Sequence, residues 1–269
     1  MNLLFCIDRH VLGQLAVCLR SVAKNGGAAR CRVFIMHSDL DDGIRENLSR
    51  DFPTMEFQFI HVPRSMFEGF PVTDRYPREI YYRLAAPLLL PHELDRILYL
   101  DADTLVINPL RGLYETNFEG NLFAACTHTR EILTRLNRVR LRSEKAVHYI
   151  NSGVLLMNLP LLRLVLDLKK MARFVRERKL PPFLPDQDIL TGLYGDRVKI
   201  VCAMRYNLSD RVLNQYNAVK GRRKRDIDWV RRHTVIIHYC GRNKPWKSDY
   251  RGTLGIFYDE LINHVGEGQ

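Results

Sequence analysis

Four short runs rich in apolar residues, Leu3 to Ile7, Arg32 to Met36, Glu56 to His61 and Arg96 to Leu100, alternate with segments whose apolar residues recur at helical spacing. Parallel strands cannot be joined by a tight hairpin, so strand and helix in alternation mark a parallel sheet with crossover helices on its faces. This pattern restricts the chain to the α/β class. The first helix is predicted over Val11 to Lys24, with Val11, Leu15, Cys18, Leu19 and Val22 on one stripe and Asn25-Gly26-Gly27 as a left-handed stop. A second runs from Asp41 to Arg50, with Ser38 or Asp39 near its N-cap and Pro53 ending it. A loop rich in Pro, Gly and aromatic residues follows from Pro63 to Pro77, and its Phe67 to Tyr76 part is a candidate lid. The helical segment Glu79 to Leu90 comes next.

Beyond residue 103, strands are expected at Leu122 to Cys126, Ile150 to Met157, Val198 to Val201 and Val235 to His238. Helices are expected over Leu161 to Arg178, Gln187 to Leu193 and Ile256 to Val265. With 269 residues, 46% of them hydrophobic, the chain can bury one sizeable core. Residues 1–250 read as one domain and 251–269 as a C-terminal helical extension.

The six cysteines, at positions 6, 18, 31, 126, 202 and 240, show no CxxC and no zinc-finger spacing. They read as free thiols in a reducing compartment. The segment Asn2 to Asp8 leaves no room for a charged region, a full apolar stretch and a cleavage site, so no signal peptide is expected. The longest apolar stretch, Leu84 to Leu90, is interrupted by Pro87 and followed by Pro91, and it falls short of the roughly 18 to 20 residues that span a bilayer. The expected location is cytoplasmic. The net charge of +11 attracts anions, and its densest run is Lys220-Gly221-Arg222-Arg223-Lys224-Arg225. Nucleotides, nucleic acids and acidic membranes all satisfy that preference.

The chemistry begins at Arg96-Ile-Leu-Tyr-Leu-Asp101-Ala102-Asp103, where an apolar strand delivers two acids just past its C-terminal end. Ligands of open α/β sheets sit outside those strand ends. A turn there lets both carboxylates converge on one cation, and hard oxygen ligands suit Mg²⁺ or Mn²⁺, which complete their shell with phosphate and water. A second constellation, His238-Tyr-Cys-Gly241-Arg-Asn-Lys244-Pro245-Trp246, also follows an apolar run. Its imidazole can complete a carboxylate-bound metal site, Gly241 permits close backbone approach, and Lys244 can neutralise phosphate.

These residues resemble family 8 of the glycosyltransferases, which includes bacterial lipopolysaccharide galactosyl- and glucosyltransferases and glycogenin. The shared features are the first strand ending in Asp8, the Tyr82-Arg83-Leu84 helix, Leu100-Asp101-Ala102-Asp103, Asn151-Ser152-Gly153-Val154, Asp186-Gln187-Asp188 and His238-x-x-Gly241-x-x-Lys244-Pro245-Trp246. The resemblance implies a GT-A fold, with a Rossmann-like sheet, and a retaining transfer of glucose or galactose from a UDP-sugar to a saccharide or lipid-linked saccharide. It implies Asp101, Asp103 and His238 as Mn²⁺ or Mg²⁺ ligands. Cys6 and Asp8 would hold the uridine; Arg83, Asn151, Asp186 and Gln187 the donor sugar; Gly241 and Lys244 the phosphates. Ala102 and Ser152 complete the donor-binding set.

Asp186, Gln187 and Asp188 are the catalytic candidates. Retention normally uses a carboxylate nucleophile, which Asp186 or Asp188 could supply, while front-face attack within one ion pair needs none. One segment departs from the family pattern: where an acid, an asparagine and a tyrosine usually follow the first-strand aspartate, this chain has Arg9, His10 and Val11. The ring that would stack on uracil is missing.

Three other readings compete. A nucleic-acid-binding protein would use the basic charge but leaves the acidic motifs unexplained. A nucleotidyltransferase would need a Gly-rich basic loop near the N-terminus, which is not found after Ile7. A sugar-nucleotide binder without turnover would not require the full set of metal ligands. On the transferase reading, Lys220 to Arg225 become a contact for an anionic membrane or a lipid-linked acceptor at the inner membrane face.

Overall fold

The computed structural model describes residues 1–73, 77–127, 139–177 and 184–266. Its strands are β1 (Asn2–Cys6), β2 (Cys31–His37), β3 (Met55–His61), β4 (Arg96–Leu100), β5 (Thr104–Val106), β6 (Phe123–Thr127), β7 (Ile150–Asn158), β8 (Val198–Ile200) and β9 (Ile236–His238). Seven form one sheet in the order β3-β2-β1-β4-β7-β6-β8, and β5 pairs with β9 in a separate ribbon. β1 runs parallel to β2 and β4, and β2 is parallel to β3. β7 is antiparallel to both β4 and β6, whereas β6 and β8 are parallel.

Side chains alternate across each strand, so every strand of the sheet's centre feeds two cores. Leu4, Phe34, Met36, Ile97, Tyr99, Leu155 and Met157 face one layer. Leu3, Phe5, Val33, Ile35, Leu98, Leu100, Val154 and Leu156 face the other. The second layer is covered by α1 (Leu12–Asn25), through Leu15, Cys18, Leu19 and Val22, and by α2 (Asp42–Asp51), through Leu48. The first is covered by α3 (Tyr82–Leu89). A short α4 (Arg111–Tyr114) links the ribbon to β6. After β7 come α5 (Leu159–Val165), α6 (Leu168–Arg176) and α7 (Pro185–Tyr194), whose Leu162, Met171 and Ile189 join the first layer.

The segments α8 (Ala203–Tyr206), α9 (Asp210–Asn217), α10 (Ile227–His233) and α11 (Gly255–Gly266) complete the chain. They build a third core in which Leu213, Val230, Leu254 and Phe257 pack on Leu105 and Ile237 of the β5–β9 ribbon. The helix expected as a C-terminal extension therefore shares a core with the rest of the domain. Trp246 also packs there, its ring 5.7 Å from that of Tyr258.

Several expectations shift. α2 is capped by Asp41, whose side chain accepts from the Ile44 N–H at 3.0 Å, and not by Ser38 or Asp39. Asp39 instead receives Arg9. The stop after α1 uses Gly27, at φ +69, as its left-handed residue. The helix expected from Leu161 to Arg178 is two helices, because Asp167 leaves the helical path and caps α6 through the Lys169 and Lys170 N–H groups; Arg178 lies outside the described residues. The loop from Phe67 is not a free lid at its start. Phe67 is buried and stacked between Tyr81 and Tyr82 at 5.9 and 5.8 Å, and Phe70 is buried beside it; residues 74–76 lie outside the described ones. β5 and helices α4, α8, α9 and α10 were unexpected, being too short to show a period.

One arginine fixes the turn that feeds β4. Arg163 donates to the carbonyls of Pro87 at 3.0 Å, Pro91 at 2.8 Å, and His92 and Leu94 at 3.1 Å each. Pro87 lies in the last turn of α3 and the other carbonyls in the turn after it, beyond the reach of helical N–H groups. Hydrogen bonds from a charged donor contribute about 1.5–3 kcal/mol, so Arg163→Met is expected to lower the unfolding free energy by about 2–4 kcal/mol. Urea unfolding measures this; a loss below about 0.5 kcal/mol would show the clip to be dispensable.

Candidate active site

The C-terminal ends of β1 and β4, the start of β7, the end of β9 and the N-terminus of α7 converge on a cavity of about 1090 Å³. The Asp101-Ala102-Asp103 turn sits at its floor. It is tied down by the Asp101 N–H donating to the Gly153 carbonyl at 2.8 Å and the Thr104 hydroxyl donating to the Asp101 carbonyl at 2.8 Å. Pairing of β5 with β9 sets Thr104 opposite His238. As a result His238 Nε2 lies 3.1 Å from Asp103 Oδ1 and 3.6 Å from Asp101 Oδ2. One ligand atom from each residue falls within 4.8 Å of the other two.

Gly153 makes this proximity possible. A Cβ there would lie 2.2 Å from His238 Cε1 and 2.5 Å from Asp101 Oδ2, well inside van der Waals contact. Only glycine lets β7 pass behind the cluster.

The proton on His238 is fixed by a chain of hydrogen bonds that starts at a backbone group. The Gly153 N–H donates to Asn151 Oδ1 at 3.0 Å, which identifies that atom as the oxygen. Asn207 Nδ2 donates to the same oxygen at 2.9 Å, so Asn207 must turn its own oxygen, at 2.9 Å, to His238 Nδ1. Nδ1 therefore carries a hydrogen, and in its neutral form the ring offers the lone pair of Nε2 to the cavity. It meets Asp103 Oδ1, a buried oxygen without a hydrogen-bond partner among the described residues. Two acceptors 3.1 Å apart require a proton or a metal ion between them.

The other oxygen of Asp103 accepts from Lys244, whose ammonium also donates to the Tyr239 carbonyl at 2.7 Å. Burial opposes ionisation of Asp103, but the protonated form of His238 and the Lys244 ammonium outweigh it and hold the carboxyl below the usual range. Two carboxylates and an imidazole with a free lone pair fit a divalent cation with hard-to-borderline preference, Mg²⁺ or Mn²⁺.

Beside this cluster lies a second network. Arg83 is buried, with its guanidinium 3.0 Å from Asp101 Oδ1, 3.5 Å from Asp186 Oδ2 and 2.9 Å from the Ser152 carbonyl. It stacks 4.2 Å from the centre of the Tyr99 ring, whose hydroxyl donates to Asp101. The Ser152 hydroxyl donates to Asp186 at 2.6 Å. Burial pushes the Asp186 carboxyl above its ordinary value, with Arg83 and the Ser152 hydroxyl opposing the rise.

Most residues singled out from the sequence line this one cavity: Cys6, Asp8, Arg83, Asp101, Ala102, Asp103, Asn151, Ser152, Asp186, Gln187, His238, Gly241 and Lys244. Asp188 does not. Next to Gln187 on α7 but turned away from the cavity, it is fully buried, bonded to Arg140 at 2.6 and 2.8 Å and to the Tyr149 hydroxyl at 3.0 Å. Of the three catalytic candidates, only Asp186 and Gln187 face the cavity. Arg9 is also turned away, held by Asp39 at 3.2 Å, while Val11 and Gln14 line the wall. Asn207 and Tyr99 escaped the sequence reading. Asn207 stands alone between Tyr206 and Leu208, outside any recognisable spacing.

The Arg140–Asp188 pair anchors α7 and with it the orientation of Asp186 and Gln187. Asp188→Asn leaves Arg140 beside a neutral amide and is expected to destabilise the fold by about 2–3 kcal/mol. Chemical denaturation measures this, and an unchanged midpoint would remove the anchoring role.

The family model "Glycosyl transferase family 8" matches residues 2–250. A lipopolysaccharide 1,3-galactosyltransferase of Salmonella typhimurium is 26% identical over 261 residues, covering 92% of this chain and 73% of that protein. A lipopolysaccharide 1,2-glucosyltransferase of Escherichia coli K12 is 23% identical, covering 91% and 72%. Among solved structures, the galactosyltransferase LgtC in complex with donor and acceptor sugar analogs superposes with a TM-score of 0.79 at 26% identity, covering 98% of this chain and 96% of that one. The architecture is that of the GT-A glycosyltransferases, and the chain belongs to glycosyltransferase family 8.

Proposed function

We propose that this chain transfers a glucosyl or galactosyl residue from a UDP-sugar to a saccharide or lipid-linked saccharide, with retention at the anomeric carbon and with a divalent metal. The observation that carries the reading is the arrangement of Asp101, Asp103 and His238 around one point, with the lone pair of Nε2 directed there by Asn207. Mn²⁺ or Mg²⁺ held by these three residues would supply Lewis-acid stabilisation of the departing diphosphate.

The protein's own groups do the rest. Lys244 and the backbone at Gly241, which adopts φ +95, serve the phosphates. Cys6 and Asp8 take the nucleoside end. Arg83, Asn151, Ser152, Asp186 and Gln187 orient the hexose, with Arg83 already fixed by its carboxylate partners, so little reorganisation is needed on binding. In the front-face route the C1–O bond to the β-phosphate breaks as the acceptor hydroxyl bonds to C1 from the same side, and the hydroxyl proton passes to the departing phosphate oxygen. No enzyme nucleophile is required, which agrees with the burial of Asp188 against Arg140. The exposed stretch from Lys220 to Lys224 serves as a contact for an anionic membrane surface at the cytoplasmic face, near lipid-linked acceptors. Among the described residues no helix is long and apolar enough to cross a membrane.

A panel of UDP-sugars tests the reaction. With Mn²⁺, one UDP-hexose is expected to release UDP and hexose; EDTA abolishes release, and Asp103→Asn lowers it by about a hundredfold or more. Pyrophosphate as product, or no binding of any UDP-sugar, would refute the assignment. The positioning of His238 has its own test, independent of turnover. Asn207→Leu removes the acceptor for Nδ1–H and is expected to weaken Mn²⁺ binding by about 10- to 100-fold, read from the electron paramagnetic resonance signal of free Mn²⁺. Affinity equal to that of the unsubstituted protein would sink that role.

A further inference from the structure

The cations of the cavity fall into two groups. Arg83 is held by Asp101 and Asp186, and Lys244 by Asp103. Arg211 and Arg242 line the same cavity, yet neither meets a carboxylate among the described residues. The adjacent acid, Asp210, is not available to them. Its Oδ1 accepts from the Thr253 N–H at 2.8 Å and the Leu254 N–H at 3.1 Å, and its Oδ2 from the Tyr250 hydroxyl.

That same arrangement braces the segments that carry the two exposed arginines against one stretch of chain. Asp210 opens α9, so its bonds to Tyr250, Thr253 and Leu254 tie the segment carrying Arg211 to residues 250–254. Asn243 donates to the Arg251 carbonyl at 2.8 Å and accepts from the Arg251 N–H at 2.9 Å, which ties the turn carrying Arg242 to the same stretch. The turn itself starts at Gly241, whose φ of +95 few other residues adopt. Ser209 and Cys240 line the cavity beside them, so both segments border one place. Arg211 also occupies the first turn of an eight-residue helix, where the backbone favours negative charge.

Two guanidiniums left without protein carboxylates, on braced segments of one cavity wall, form a receptor for a planar or tetrahedral anion. A neutral sugar needs no such pair, because hydroxyl groups are served by uncharged donors and acceptors. We infer that Arg211 and Arg242 form an anion subsite for the acceptor, and that the acceptor saccharide carries a phosphate or carboxylate group. This rests on the proposed glycosyl transfer and names its acceptor class.

The test uses the full chain saturated with Mn²⁺ and UDP, so that the nucleotide end is filled before an anion is offered. Galactose and galactose 6-phosphate are then titrated, with inorganic phosphate as competitor. Galactose 6-phosphate is expected to bind at least tenfold more tightly than galactose, to be displaced by phosphate, and to lose that preference in the Arg211→Ala, Arg242→Ala double variant. The affinity of the double variant for UDP with Mn²⁺ should stay within twofold of the parent, with an unchanged melting temperature. Equal binding of the two sugars by the unsubstituted protein overturns the inference, as does a preference that survives the double substitution. A double variant that loses UDP affinity also overturns it, since the arginines would then serve the donor diphosphate. Failure of the unsubstituted protein to bind UDP at all is a separate result, which removes the transferase reading itself.

Discussion

Three residue pairs between β5 and β9 hold the site together. Thr104 opposite His238, Leu105 opposite Ile237 and Val106 opposite Ile236 join the turn after β4 to the far end of the chain. So short a ribbon has little stability alone; its apolar side chains are buried in two cores at once, Leu105 and Ile237 in the third and Val106 and Ile236 in the second. On its outer edge Leu208 bridges to Ile237. That bridge carries Asn207 on one side and Ser209, which caps α9, on the other. The Asp101, Asp103 and His238 cluster, the hydrogen bond that orients His238 and the placing of the segment that carries Arg211 thus depend on one small pairing, and packing rather than ladder length secures it.

The legible parts of this fold are those with a period. β1, β2 and β4 read directly from their apolar runs, and α1 from its stripe, because a strand buried on both faces and a helix buried on one leave unmistakable patterns; β3, half-buried at the sheet edge, reads from its β-rich composition. The acids at 101 and 103 and the histidine at 238 were visible as strand ends, and they meet. Asn207 was not visible: its role exists only because Leu208 pairs with Ile237, a contact between distant segments that no local spacing records. Asp188 failed for the complementary reason. It sits beside Gln187 in sequence, but successive helical residues point about 100° apart, so one faces the cavity and the next faces Arg140.

Charge is arranged in the cavity so that very little must move when a ligand enters. Arg83 is fixed by two carboxylates, a carbonyl and the Tyr99 face, so that its position owes nothing to substrate. Lys244 is fixed by Asp103 and a carbonyl. Asp103 keeps one oxygen for the lysine and turns the other, without a hydrogen-bond partner among the described residues, to the imidazole 3.1 Å away. Electrostatic stabilisation of a leaving group is most effective when the dipoles and charges are already in place, and this network supplies that condition.

The nucleoside end follows a different logic. Arg9 is bound to Asp39 outside the cavity, so its charge does not approach the wall formed by Asp8, Val11 and Gln14. An aliphatic side chain at position 11 cannot provide the face-to-face stacking of a ring, a contribution of about 1–3 kcal/mol per base where it is present. On the proposed function, the donor must then draw more of its binding from the diphosphate and the sugar, where the fixed cations and the metal ligands lie. On that proposal, selectivity among nucleotide bases is expected to be weaker than selectivity for the diphosphate, because the preorganised groups of the cavity recognise charge and those of the Asp8–Val11–Gln14 wall recognise shape.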